Sequence, residues 1–168
     1  MSSRIFKGFT VATLALALAA CSSVPLDESS SGQDGSQGRT DTSTSGVVMD
    51  PFNPQSPLAQ ERSVYFDFDS YVVADQYRDL VDMHANYLRS NPQQDVRIEG
   101  NADARGGAEY NLALGQRRSD AVARMMILMG ANNGQIEAVS LGKERPKALG
   151  NTEADYAENR RADINYQR

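Results

Sequence analysis

The sequence predicts an α/β sandwich: a four-stranded mixed sheet with two main helices packed on one face, in the order β-α-β-α-β-(α)-β. Three observations lead there. Short runs that alternate apolar and polar residues with a period of two recur four times between residues 64 and 166. Two longer segments with apolar residues three and four apart separate the first three of these runs. Each strand shows a single apolar face, so one helical layer covers the sheet and the opposite face can remain wet.

The first strand is read from Val64, Phe66 and Phe68, which alternate with Tyr65, Asp67 and Asp69. Tyr77, Leu80, Val81, His84, Tyr87 and Leu88 form the stripe of an amphipathic helix that stops near Asn91-Pro92, a breaker pair. Val96, Ile98 and Gly100 make the second strand. A long helix is expected from about Ala108 to Met129, with Leu114, Ala121, Val122, Met125 and Met129 on one face and Gly130 as its C′ residue. Ile136 to Leu141 is the third strand, Glu153 to Asn159 a short helical turn, and Ala162, Ile164 and Tyr166 the last strand.

Three zones precede or contain these elements. Residues 1–20 read as a secretory signal, with Arg4 and Lys7 ahead of an apolar run from Val11 to Ala20 that is too short to span a bilayer. Leu18-Ala19-Ala20-Cys21 resembles a bacterial lipobox, which makes Cys21 the lipidated first residue of the mature chain. Cys21 is the single cysteine, so no internal disulfide is available to it. Acyl chains at that position would anchor the chain at about 0.8 kcal/mol per buried methylene. Ser22 follows where an Asp would resemble an inner-membrane retention signal, which favours the outer membrane by analogy. Residues 21–60 are rich in Ser, Gly, Thr, Asp and Gln and read as a flexible linker, stiffened by Pro51, Pro54 and Pro57. Such a coil has an end-to-end distance of roughly 35 Å and stretches to on the order of 130 Å. Residues 61–168 suit one compact domain. The formal net charge is −5, with no basic stripe or aromatic platform for nucleic acid.

Chemistry concentrates between Asn101 and Arg118. Arg118 projects from the buried stripe of the long helix, since Leu114 and Val122 lie four residues to either side. A charge there needs a partner. Its aliphatic stem packing with the head in solvent, or a pair with Asp120 or Asp163, explains it equally well on spacing alone. Arg117 lies beside the same stripe and could exchange roles with it. Asp103 stands where a strand gives way to a Gly-rich loop, Gly106-Gly107, that turns into the helix. Taken alone, an Asx turn accounts for it slightly better. Together the two supply an acceptor for an ammonium and a planar fork for a carboxylate, the two ends of a free amino acid. His84, the only histidine, falls on an apolar helix face and reads as a core histidine with a satisfied hydrogen bond. No metal set or cofactor site is indicated. Asp67 and Asp69 read as solvated edge carboxylates rather than an acid/base pair. Lys143-Glu144-Arg145-Pro146 and Asn159-Arg160-Arg161 read as charge at strand ends, and the second could brace the pocket.

The stretches VYFDFDSY (64–71), HANYLRSNP (84–92), EGNADARG (99–106), EYNLALGQRR (109–118), LGKERP (141–146) and NRRADI (159–164) resemble the peptidoglycan-associated lipoproteins of the Tol–Pal system, whose folded part is an OmpA-like domain. The resemblance spans nearly the whole folded part. It implies an outer-membrane lipoprotein that faces the periplasm, binds the diaminopimelate of peptidoglycan stem peptides without a covalent bond, and supports envelope integrity and cell division. It places the pocket acid at Asp103 and the pocket arginine at Arg118. It adds Phe68 and Asp69 from the end of the first strand, and Arg105, Tyr110, Asn111 and Leu114 as lining. Asn101 stands where many OmpA-like domains have His, although some close relatives also have Asn. The implied partners are the stem peptide, TolB and other envelope proteins. Two other functions compete: an adaptor whose main ligand in the same groove is a TolB-like propeller, and a wall hydrolase. The lack of an activated nucleophile, metal set or acid/base pair argues against the hydrolase.

Overall fold

A computed structural model describes residues 49–168. The signal segment, Cys21 and the linker up to residue 48 lie outside the described residues. Four strands form one sheet in the order β1-β4-β2-β3: β1 (Ser63–Tyr65), β2 (Val96–Asn101), β3 (Ile136–Gly142) and β4 (Arg161–Tyr166). The β1–β4 and β4–β2 pairs are antiparallel and β2–β3 is parallel, so the sheet is mixed as expected. The helices are α1 (Pro57–Gln60), α2 (Arg78–Ser90), α3 (Ala108–Leu128) and α4 (Glu153–Asn159). Gly130 has φ of +101° just past the end of α3, the left-handed conformation that ends helices.

One hydrophobic core lies between the sheet and the α2–α3 layer. Val64, Val96, Ile98, Ala162 and Ile164 point into it from the strands, and Val81, Ala85, Leu88, Val122 and Met126 from the helices. The alternate strand residues carry ion pairs and hydrogen bonds, including Arg97–Glu137 at 2.8 Å and Ser63 to Asp163 at 2.7 Å. The helix layer touches the sheet most closely where Gly115 of α3 crosses Gly100 of β2. A Cβ on Gly100 would stand 1.8 Å from the Gly115 carbonyl oxygen, and one on Gly115 would stand 2.3 Å from Ser140 Oγ. Glycine at both positions lets the backbones meet. This sets the depth at which Arg118, one turn further on, enters the interior.

Two expectations need correction. The stretch from Asp50 to Gln60 belongs to the folded unit and is not linker. Ser56 Oγ accepts from Leu58 N at the start of α1 with Pro57 at its first position. Leu58 is fully buried, and Arg62 clasps the segment by donating to the carbonyls of Leu58 and Pro51. Composition averaged over the preceding low-complexity residues hides this local cap. Second, β1 ends at Tyr65, short of the alternating run. The Phe66 amide still bonds to the Arg160 carbonyl at 2.8 Å, but the chain then turns, and Asp69 takes φ of +55°. Phe68 is therefore 63% exposed instead of buried, and Asp67 and Asp69 occupy a turn and not a strand face.

His84 is a satisfied core histidine. Its Nδ1 lies 2.8 Å from the Tyr166 hydroxyl and its Nε2 2.7 Å from the Glu61 carbonyl. A carbonyl can only accept, so Nε2 carries the proton and Nδ1 accepts from Tyr166. Burial lowers its pKa to about 4. The 50–60 segment packs at the end of the sheet where Tyr166 terminates β4, with the Phe52 ring edge-on to Tyr166. Arg161, at the other end of β4, adjoins the loops described next.

Candidate functional site

Three chain segments meet at the C-terminal end of β2. The turn after β1 brings Phe68 and Asp69, the β2–α3 connection brings Asp103 and Arg105, and the first turns of α3 bring Tyr110, Asn111, Leu114 and Arg118. These eight residues, the full set expected to form the site, line one cavity of about 250 Å³ together with Ala102, Gly106 and Arg160. Gly106, with φ of +82°, makes the turn into α3; Gly107, at φ of −74°, caps the helix without a side-chain bond to its first amides. Asn111 holds the loop by donating to the carbonyls of Arg105 at 2.7 Å and Asp103 at 3.3 Å. The Tyr110 hydroxyl bonds to the Asp69 carboxylate, which raises the phenol's pKa and links α3 to the turn after β1.

Arg118 pairs with neither Asp120 nor Asp163, and its head does not reach solvent. It is 0% exposed, and its guanidinium donates to three backbone carbonyls: Ser70 at 2.8 Å, Asn101 at 2.8 Å and Asp67 at 3.2 Å. Of the five N–H groups on a guanidinium, two are left. Although Arg118 contributes to the cavity wall, water can touch none of its surface, from the cavity or from outside. Burial and the nearby Arg160 charge lower its pKa to about 10, well above neutrality, while Asp103, Asp69 and Tyr110 act in the opposite direction. Arg117 does not exchange roles with it: it is exposed and packs on the Tyr71 ring.

Asp103 is 5% exposed and is not left bare to face Arg118. Its Oδ1 accepts from the Arg105 amide at 3.1 Å, which is the Asx turn that spacing suggested, and from Arg105 Nε at 3.2 Å. Its Oδ2 accepts from Arg105 Nη2 at 2.6 Å and Arg160 Nη1 at 3.4 Å. Burial alone would raise its pKa, but the hydrogen bonds and charge of Arg105, with the Arg160 bond, hold it below the usual carboxylate range. The expected convergence of acid and guanidinium in one cavity is present. The expectation that the two stand free for a ligand needs correction, because each already has internal partners.

Sequence reading underweighted Arg160 and missed Glu153 and Tyr156. Arg160 is 7% exposed and donates to the Phe66 carbonyl and to Glu153 as well as to Asp103. Glu153 bridges Arg160 and Arg105, and Tyr156 presents its ring to Arg105. The visible signal was the Thr152–Asp155 capping box, which fixes α4 and so presents both residues to the site. Asn101 contributes through its backbone carbonyl; its side chain bonds to the Glu99 carbonyl and to Asp163 and does not line the cavity.

The model of the OmpA family matches residues 65–160, a range that includes every cavity residue. The chain belongs to the OmpA family, in its peptidoglycan-associated lipoprotein branch. The peptidoglycan-associated lipoproteins of Pasteurella multocida and Haemophilus influenzae are each 38% identical to it over 163 residues, covering 97% of this chain and 99% of each relative. The crystal structure of the peptidoglycan-associated lipoprotein from Burkholderia pseudomallei superposes with a TM-score of 0.67 at 60% identity. It covers 70% of this chain and 98% of that one. More distant members share the fold alone: the OmpA-like domain of FopA1 from Francisella tularensis matches with a TM-score of 0.52 at 19% identity. Among the described residues, no helix of this OmpA-family member is long and apolar enough to cross a membrane, and no group of three His, Cys, Asp or Glu could hold a metal ion.

Proposed function

We propose that this chain is an envelope lipoprotein whose cavity binds the free zwitterionic end of diaminopimelate in peptidoglycan stem peptides. The observation that carries the reading is Asp103 and Arg118 lining one small cavity from opposite chemical signs. An ammonium finds its acceptor in Asp103, and a carboxylate is drawn by the Arg118 charge and meets its two spare N–H groups once the cavity wall yields. The uncapped first amides of α3 add positive potential beside them. About 250 Å³ is small for a ligand pocket and suits one amino-acid end with its first methylenes. The cavity contains no Ser, Thr, Cys, His or Lys, and its one hydroxyl, that of Tyr110, is bonded to Asp69. Binding without bond making or breaking is the chemistry it supports.

On this reading the head is carried on an acylated Cys21 in the outer membrane and a tether through residue 48. Many copies, each held near the wall at high effective concentration, convert modest affinity per pocket into firm attachment. The chain then acts in the Tol–Pal system, with TolB as a partner, and supports cell division. The names of the relatives and the match of motifs support this reading. The surface at the cavity favours a protein ligand as well. Phe68 and Tyr110 of its lining are 63% and 54% exposed, and Tyr71 and Val72, just along the chain from Phe68, 43% and 71%, an apolar surface that a TolB-like propeller could cover in competition with the wall. Co-sedimentation of the full chain with purified sacculi tests the primary reading. Asp103→Asn is expected to remove the chain from the pellet while its thermal unfolding stays cooperative. Undiminished sedimentation of that variant refutes the site.

A further inference from the structure

The acceptor capacity of Asp103 is full in the free protein. A carboxylate offers about four lone-pair positions. Here they take the Arg105 amide, Arg105 Nε, Arg105 Nη2 and Arg160 Nη1. A ligand ammonium cannot reach Asp103 without removing one of these donors. Arg160 is a poor candidate, because its side chain is only 8% exposed and also holds the Phe66 carbonyl and Glu153. The Arg105 guanidinium is the movable one. Its side chain is 36% exposed, and it has somewhere to remain when it leaves Asp103: Glu153 accepts from Nη1 at 3.1 Å, and the Phe68 and Tyr156 ring centroids lie 4.4 Å and 4.2 Å from its central carbon.

Resting on the site proposed above, we infer that Arg105 is a built-in competitor: its guanidinium occupies the cation position on Asp103 and must swing out for an amino-acid end to bind. The arrangement sets a threshold for entry. A ligand with only a cation exchanges one charge-assisted contact for another and gains little. A ligand with an ammonium and a carboxylate on one carbon makes the same exchange and also engages Arg118. Selectivity for zwitterionic ends over plain amines such as lysine side chains then comes from the contact that must be broken as well as from those that form. Glu153 and the two rings keep the displaced arginine beside the cavity, ready to return.

The test is calorimetric titration of the full chain in detergent with a diaminopimelate-containing tripeptide, comparing the unaltered protein, Arg105→Met and Tyr156→Leu. Arg105→Met keeps the aliphatic stem and removes the competing charge, so affinity is expected to rise at least threefold. Tyr156→Leu takes away a ring that receives the displaced guanidinium and is expected to act in the opposite direction, more weakly. In the unaltered protein, the Arg105 Nε–H resonance is expected to shift on saturation with peptide. Lower affinity in Arg105→Met identifies Arg105 as a direct ligand contact and overturns the inference, as does unchanged affinity with an unmoved resonance. The site reading fails separately, if the unaltered protein does not bind the peptide at all or binds it equally well after Asp103→Asn.

Discussion

Arg118 shows how one buried side chain can brace the backbone and line a cavity together. A buried guanidinium with no carboxylate at contact distance is unusual, and here backbone carbonyls from the turn after β1 and from Asn101 take the place of the counter-ion. The Asn101 contact is fully buried, while the Asp67 carbonyl also accepts from the Ser70 amide at 3.2 Å. Truncating Arg118 removes a donor from all three carbonyls and loosens the cavity wall, so Asp103 is the cleaner residue for probing ligand contact. His84 acts at the far end of the sheet. It stays neutral when folded because burial lowers its pKa from 6.5 to about 4, so the unfolded chain takes up the proton first as pH falls. Its contribution is fully present above pH 6.5 and is lost as pH falls toward 4. Urea unfolding at pH 7.5 and pH 5 is expected to differ by about 2 kcal/mol from this group alone. His84→Gln is expected to flatten that dependence. An equally steep dependence in the variant would show that another group causes it. The placement of His84 was legible from helical spacing. The Arg118 carbonyl partners were not, because backbone acceptors leave no mark in side-chain patterns.

At the scale of elements, the site depends on where α3 crosses β2. The crossing is tight because Gly100 and Gly115 remove both side chains at the contact. Gly115→Ala is expected to force the helix off the sheet and cost about 3 kcal/mol, at the upper end for overpacked positions. Because Arg118 and Leu114 flank that point, peptide affinity is expected to fall with stability. Circular dichroism melting with parallel titration measures both, and a variant of unchanged stability would contradict the crossing. The period of two in β2 and β4 and of three and four in α2 and α3 gave these elements to within a residue or two. Strand β1 was read too long because Phe66, Asp67, Phe68 and Asp69 keep alternating after the chain has left the sheet. Phe68 became a cavity wall there, and an apolar residue that lines a cavity carries the same sequence signature as one used for the core. The segment around Leu58 was missed for the opposite reason, since its single buried apolar residue and Ser56 cap lie among polar neighbours.

Across the described residues, the 50–60 segment and the cavity lie at opposite ends of β4. The 50–60 segment joins the fold beside Tyr166, and the cavity opens beyond Arg161. A β-strand rises about 3.3 Å per residue, so the six residues of β4 separate these ends by about 17 Å. On the proposed reading, this places the pocket away from the end at which the anchored segment joins the fold, as a tether between two layers requires. That these eight residues line one cavity was legible because the resemblance carried them as a set. What pattern could not show was that Asp103 already holds Arg105 and Arg160. The most direct test of the central claim is a double cycle by calorimetry. It pairs the full chain and its Asp103→Asn variant with the diaminopimelate tripeptide and with the same peptide acetylated on its free ammonium. If Asp103 receives that ammonium, each single change weakens binding and the second adds little to the first, a coupling of about 1.5 kcal/mol or more. Losses that simply add would contradict it, and the ammonium would then bind somewhere other than Asp103.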